Sequence, residues 1–579
     1  MATVKERQLG DILIDNGVIT PLDLDEAFQR QRLTGDMLGR VLVSMGLCEE
    51  QDVIEALGIQ QGMEPVDISK LSVKEEILRK LSADVARFYN VVPFRETEGV
   101  LHVAMADPLN LGTLDDISQI VGQPVKGAVS NLQAVTAFIQ KNYNLDEDTI
   151  QETLEGLIAH VGDKALTAEE MGQTEVIGDV ENLVSLSQEP EVIKIVNLVL
   201  LEAVQKRASD IHFEIYEEDF RIRIRVDGVL HEIVSPPRNL ALPLTSRVKV
   251  IAAMDIGERR LPQDARIEMK IGDAEIDVRV ATLPTLYGEN VVMRILDKTA
   301  VKIDLNAMGI APATLKAILR TIHKPNGIFL VTGPTGSGKT TSLYACLNVL
   351  NQVGVKIITT EDPVELQIDR LIQVQVRESV GLTFARSLRA ILRQDPDIVM
   401  VGEIRDLDTA QIAIEASLTG HLVLSTLHTN SAPETITRLL DMDVEPFLIT
   451  SSLEAVLAQR LVRVLCRHCR ERYQPDDDEM EKVGLPDRWR NDPKLRFFRP
   501  VGCAACDFTG YMGRVGLFEM LEVDEDICDM ILERALAYEI REHARKTQGM
   551  RTLREEAIVK CVQGITSVEE LLTHTDKYD

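Results

Sequence analysis

Apolar and polar positions along the chain fall into three rhythms, each predicting a different kind of element. The first is duplicated. Residues 8–31 (QLGDILIDNGVITPLDLDEAFQRQ) align without gaps on residues 37–60 (MLGRVLVSMGLCEEQDVIEALGIQ). Leu9-Gly10 matches Leu38-Gly39, Gly17 matches Gly46, Leu24 matches Val53, Phe28 matches Leu57, and Gln31 matches Gln60. Each copy predicts two short helices joined at a glycine. The second rhythm is the period-two alternation FRIRIRVDGVL at 220–230, which reads as strands of a half-exposed sheet turning at Asp227-Gly228. It follows a helical pattern, VIKIVNLVLLEAVQKRA, at 192–208. The third begins near residue 305, where short apolar strands alternate with helical stretches and predict a doubly wound α/β core.

These rhythms divide the chain into a helical repeat domain (1–70), a small α/β module (71–145) with strand-like LHVAMAD at 101–107, an acidic segment (146–190), an arginine-bearing domain (191–300) and the α/β core (301–579). Between Asp146 and Glu191 thirteen acidic residues face one basic residue, Lys164. That composition favours a mobile linker, although a solvated helical face packed on a neighbour fits it too.

Charge narrows the function. A formal net charge of −29 argues against a general grip on nucleic-acid phosphates. No apolar run approaches the roughly 18 residues of a membrane span, and the N-terminus MATVKERQLG lacks a signal-peptide core. A cytoplasmic protein is expected, reaching any membrane by docking on partners.

Within the core, GPTGSGKT at 333–340 fits the phosphate-binding loop G-x-x-x-x-G-K-[ST]. An apolar strand, Ile328–Val331, precedes it and a helical TSLYACLNVL follows, the context that motif requires. Gly333, Pro334, Thr335, Gly336, Ser337 and Gly338 form the loop that presents backbone N–H groups to phosphates, and the helix opening at Lys339, Thr340 and Thr341 adds its positive end. Lys339 is expected to neutralise the β- and γ-phosphates of ATP, and Thr340 to ligate Mg²⁺. Two later strands end in acid. KIITTEDPVE leads to Glu361 and Asp362, and PDIVMVGEIRD leads to Glu403. Carboxylates at the ends of parallel strands share the edge of the phosphate loop, where Glu403 and Glu361 can hold Mg²⁺ through water and orient the attacking water. Helix capping, or pairing with Arg389, Arg393 or Arg405, is the competing use. His421 and His428 bracket the strand in TGHLVLSTLHTN, as candidate γ-phosphate sensors or as members of a polar network.

Cys466-x-x-Cys469 and Cys503-x-x-Cys506, with 33 residues between the pairs, form two knuckles able to give four thiolates to a tetrahedral, structural Zn²⁺ within a subdomain of about 461–515. Cys48, Cys346, Cys528 and Cys561 read as ordinary core cysteines.

Residues from about 190 to 579 resemble the secretion ATPases of type II secretion and type IV pilus assembly. The likeness rests on ASDIHFE (208–214), RVDGVL (225–230), RLPQDARI (260–267), GPTGSGKT, TTEDPVE, IVMVGE, the histidine segment and the paired cysteines. It implies a RecA-like core behind a small PAS-like α/β domain, and a cytoplasmic homohexamer docked peripherally on inner-membrane platform proteins. Such a motor would drive pseudopilus assembly and protein export or, alternatively, pilus extension. In that family the domain before the core carries arginines to a nucleotide; Arg223 and Arg238 fit best, then Arg225 and Arg247. Where the family often has PQDGR, this chain has Ala265. The N-terminal repeat resembles a module that binds cyclic di-GMP in some of these ATPases, but Gln8 and Met37 stand where that motif begins with arginine. Cyclic di-GMP binding and docking on the platform's cytoplasmic partner both remain open. Retraction motors are usually shorter and lack the knuckles. A nucleic-acid motor is disfavoured by charge, and a module that has lost hydrolysis by intact Lys339, Thr340 and Glu403.

Overall fold

The computed structural model describes residues 9–34, 38–108, 110–143, 153–158, 186–271, 274–297, 304–485 and 495–576. The chain divides into two units, Met1–Ala300 and Val301–Asp579.

The first unit opens with helices Leu9–Asp15, Pro21–Thr34, Leu38–Ser44 and Glu50–Gln60. The duplication is reproduced in detail. Gly17 and Gly46 end the first helix of each copy with φ of 71° and 69°, and each donates its N–H three residues back at 2.9 Å, to Ile14 and Val43. Each second helix starts with a side-chain cap: the Thr20 N–H donates to Asp23 at 2.7 Å, and the Glu49 N–H donates to Asp52 at 2.8 Å. A Cβ at Gly10 would stand 2.7 Å from Leu24, and one at Gly39 2.7 Å from Val53, so in each pair a side chain at the glycine would displace the packed leucine or valine. Gln8 and Met37 lie outside the described residues.

Next come β1 (Glu64–Pro65), β2 (Val91–Thr97), β3 (Val100–Met105) and β4 (Val125–Val129), in the order β1-β4-β3-β2. Because β1 pairs with β4, this module begins just after Gln60, not at residue 71. A third module holds helices Pro190–Gln205 and Ala241–Ile251 and strands β5 (Asp210–Ile215), β6 (Phe220–Val226), β7 (Val229–Val234), β8 (Gln263–Ile271), β9 (Ala274–Thr285) and β10 (Gly288–Asp297). They form an antiparallel sheet ordered β7-β6-β5-β10-β9-β8. Asp227 and Gly228 both take positive φ, 49° and 88°, as a two-residue hairpin turn requires. The segment expected to be a mobile linker is anchored at one point. Residues 153–158 are helical, and Leu154 and Ile158 are buried in this module's core. Most of the remainder lies outside the described residues.

The second unit is built on β11 (Gly327–Thr332), β12 (Ile357–Glu361), β13 (Ile372–Gln375), β14 (Ile398–Val401), β15 (Leu422–Leu427), β16 (Leu453–Leu465) and β19 (Tyr511–Glu522). The order is β13-β12-β14-β15-β11-β16-β19, with the first six strands parallel and β19 antiparallel to β16. β17 (Glu471–Tyr473) and β18 (Phe497–Arg499) pair separately. Successive β11 side chains enter opposite cores: Ile328 and Leu330 on one face, Phe329 and Val331 on the other. A strand covered on both faces explains its unbroken apolar run and fulfils the doubly wound expectation. Among the described residues, no helix is long and apolar enough to cross a membrane.

Candidate functional site

Register places the chemistry on one edge of the large sheet. Gly327 lies level with Leu422 and Thr332 with Leu427, so the loops following β11 and β15 leave at the same end. Thr360 of β12 lies beside Val401 of β14, which lies beside Ser425 of β15. The phosphate loop, Glu361, Glu403 and His428 therefore gather at this edge.

The loop folds tightly. Gly333 lies against β16, where a Cβ would come within 2.5 Å of the Gln459 carbonyl. Lys339 is buried and donates through Nζ to the carbonyls of Gly333 at 2.9 Å and Pro334 at 3.0 Å. Burial pushes its ammonium below the usual lysine value; Glu403 opposes that shift and Arg460 adds to it. The Ser337 Oγ is buried without a hydrogen-bond partner, while Thr340 and Thr341 at the helix start are exposed. The nest of loop N–H groups, the helix Lys339–Leu350 behind it and an ammonium beside it fit a nucleotide's phosphates.

The two carboxylates have different surroundings. Glu403 accepts from Arg405 and lies 3.2 Å from the Nε2 of His428. Arg405 also lies 3.7 Å from Asp362, and its hydrogen bond to Glu403 raises its pKa. This carboxylate keeps an open side toward the loop edge, with 17% of its side chain exposed. Glu361 is closed in. It accepts from Tyr344, from Thr359 and from Gln373 Nε2 at 3.1 Å, and is 3% exposed. Burial, then Glu361, push the Tyr344 hydroxyl well above its ordinary pKa, so Tyr344 remains a donor. Glu361 thus ties helix Lys339–Leu350 to β12 and β13, a different use from the water-positioning role expected of it.

The histidines separate in the same way. His428 stands at the loop edge. His421 precedes β15 at the opposite end, about 20 Å away at ~3.3 Å per residue, with Nδ1 at 2.9 Å from the Ala416 carbonyl and 3.2 Å from Thr419 Oγ1. The phosphate-sensor expectation for His421 is corrected: it closes the end of the preceding helix.

The candidate arginines are engaged within the first unit. Arg223 pairs with Glu214 at 2.5 Å; Arg225 lies 3.6 Å from Asp210 and donates to the Gly228 carbonyl at 2.9 Å. Arg238 donates to the Glu217 carbonyl and lies 5.9 Å over the Tyr287 ring. Arg247 is 6% exposed and pairs with Asp116 at 2.7 Å, in a cluster where Tyr89 also donates to Asp116. It is a tie between modules, which corrects its place among the arginines expected to reach a nucleotide.

The cysteines converge as the spacing predicts. Their four Sγ atoms all lie within 4.8 Å of one another, with Cys466–Cys503 at 3.9 Å and Cys469–Cys506 and Cys503–Cys506 at 3.8 Å. Thiolates about 2.3 Å from a tetrahedral Zn²⁺ would be about 3.8 Å apart, so the donor set fits that ion. Burial disfavours the Cys506 thiolate, but the N–H groups of Cys503 and Gly510 outweigh it and bring the thiol down to about 7. Burial and its bond to Cys506 raise Cys503 to about 11.

Two site residues escaped the sequence reading. Gln459 Nε2 donates to the Ser337 carbonyl at 2.6 Å, and its Oε1 accepts from Ser342 at 2.6 Å, stapling loop to helix. The adjacent Arg460 donates to Asn430, in the loop that carries His428. Their only mark is a polar pair inside the apolar strand LEAVLAQRLVRVL.

A parallel sheet with a phosphate loop, a strand-end carboxylate and an adjoining histidine defines an ATPase. The family profile described as "Type II/IV secretion system protein" matches residues 185–573, and the chain belongs to that family. The MshEN domain profile matches residues 61–149. The chain is 40% identical to the type IV pilus assembly ATPase PilB of Myxococcus xanthus over 570 residues, covering 98% of this chain and 99% of the relative. It is 41% identical to the type II secretion system protein E of Xanthomonas campestris over 575 residues, covering 99% of each. It is 44% identical to the type II secretion system ATPase E of Vibrio cholerae over 503 residues, covering 87% of this chain and 98% of that one.

Proposed function

We propose that this ATPase is the motor of a type II secretion system, working as a cytoplasmic homohexamer docked on inner-membrane platform proteins to drive pseudopilus assembly and protein export. The observation that carries the reading is likeness to secretion ATPases along nearly the whole chain, supported by Lys339 bonded into the phosphate loop and His428 beside Glu403. Lys339 neutralises the phosphates, Thr340 and Glu403 hold Mg²⁺, and Glu403 orients water for attack on the γ-phosphate. Arg223 and Arg225 leave their acidic partners, and Arg238 leaves the Glu217 carbonyl, to reach a nucleotide as the ring turns over. Zn²⁺ on the four cysteines fixes the knuckles and takes no part in chemistry. Pilus extension is the second reading, favoured by the Myxococcus relative at equal coverage. The N-terminal modules supply either a cyclic di-GMP site or the docking face for the platform.

The test combines specific ATPase rate against protein concentration with light scattering, for wild type and Glu403→Gln. Hydrolysis that rises with assembly and disappears in the variant supports a ring motor; a rate independent of concentration counts against shared sites. Expressing Glu403→Gln beside the wild-type chain in its own cell then separates the readings. Loss of secreted proteins with pili intact supports export, and the converse supports extension.

A further inference from the structure

Arg460 is a buried cation beside the phosphate loop with no assigned part in hydrolysis. It lies on β16 at 9% exposure. Its Nη1 donates to the carbonyl of Gln459 at 3.2 Å, the same carbonyl that Gly333 is packed against. Its Nη2 donates at 3.0 Å to both the backbone and the side-chain oxygen of Asn430. Asn430 ends a short loop whose other residues are also held. The Thr429 N–H donates to Thr332 Oγ1 at 3.0 Å, and the Thr429 hydroxyl shares a hydrogen bond of 2.7 Å with Thr435. His428, at the start of this loop, meets Glu403. The guanidinium therefore spans from the strand supporting the phosphate loop to the segment presenting His428, and its rigid planar fork fixes the direction of each bond as a flexible ammonium would not.

We propose that Arg460 is a positioning residue for hydrolysis: through Asn430 it sets the 428–430 loop, and so the distance between His428 and Glu403, while its fixed tie to Gln459 keeps that loop in register with the phosphate loop. Its hydrogen bonds to Gln459 and Asn430 reach the reacting groups through those residues. The inference deepens the hydrolytic reading of Glu403 and rests on it.

The test is a double-mutant cycle in the full-length chain, with kcat and KM for ATP measured for wild type, Arg460→Gln, Arg460→Lys, Asn430→Ala and the double variant Arg460→Gln/Asn430→Ala. Wild-type hydrolysis that Glu403→Gln abolishes secures the underlying reading separately. Misplacement of a catalytic pair by about 1 Å can cost on the order of 100-fold. The expected result is a fall of roughly that size in kcat for Arg460→Gln with KM within about threefold, little rescue by lysine, and a smaller fall for Asn430→Ala. The double variant should match Arg460→Gln, because both changes cut one connection. Asn430 is exposed, so its replacement leaves the core intact and keeps the test alive should Arg460→Gln fold poorly. Unchanged kcat in Asn430→Ala, a loss confined to KM, or additive effects in the double variant would overturn the proposal.

Discussion

The six-stranded sheet β5–β10 and the seven-stranded sheet around β11 are both rich in charge, and they use it in opposite ways. On the first, charges lie along strand faces. Antiparallel register sets Asp210 opposite Arg225 and Glu214 opposite Arg221, and Arg223 pairs diagonally with Glu214. Such pairs neutralise one another on the sheet that carries them. On the second, the central strands β11, β14 and β15 carry no charge along their length, and parallel register collects the charge at and past their ends on one edge, while β16 and β19 hold buried charge within the strand, at Arg460 and Glu519. The same residue types make a lattice in one place and a reactive site in the other. In the central parallel strands, a charge reaches the phosphate-loop edge only at or past the strand's end.

That contrast can be tested at four strengths. Lys339→Ala removes the one cation inside the phosphate loop, and hydrolysis should fall on the order of 1,000-fold, read from kcat/KM. A fall below about tenfold would mean that the edge charges are interchangeable, as face charges are. A metal chelator, or Cys506→Ser, should lower the unfolding midpoint of the second unit by on the order of 10 °C in calorimetry while sparing the first. Glu361→Ala strands three donors in a buried place and should cost about 3 kcal/mol in denaturant unfolding, with Glu361→Gln costing less. If instead hydrolysis vanishes at unchanged stability, Glu361 belongs with Glu403. The smallest effect concerns the lattice. Arg223→Ala should change the stability of the first unit by only about 0.5 kcal/mol, because its pair with Glu214 is partly solvated. Arg223→Ala compared with Arg221→Ala in ATPase assays at ring-forming concentration then isolates any reach to a nucleotide: a large loss for Arg223 alone supports it, and equal rates remove it.

The parts legible in the sequence were those governed by local spacing. The phosphate loop between strand and helix, the two cysteine pairs, the duplicated helix pairs and the hairpin at Asp227-Gly228 each depend on residues a few positions apart, and each formed as read. Legibility ended where meaning depended on register between distant strands. His421 and His428 look equivalent in the sequence, yet a strand has two ends and only one faces the phosphate loop. Glu361 and Glu403 end similar strands, but only Glu361 meets a tyrosine from the helix behind the loop, a contact between residues 344 and 361 that no periodicity encodes. Arg247 joined the arginine candidates through the family resemblance, and its partner Asp116 lies 131 positions away. Gln459 and Arg460 serve the loop from more than 100 residues downstream.

One strand joins two sites. β16 is a thirteen-residue strand, with Gln459 bonded to the phosphate loop near its middle and Cys466 following its far end. Seven residue steps, about 23 Å at ~3.3 Å per residue, separate these points, with the register against β19 shifting between Arg463 and Leu465. One strand thus runs from the residue that holds the Ser337 carbonyl to the first ligand-bearing knuckle, placing the cysteine centre in direct backbone continuity with the nucleotide site.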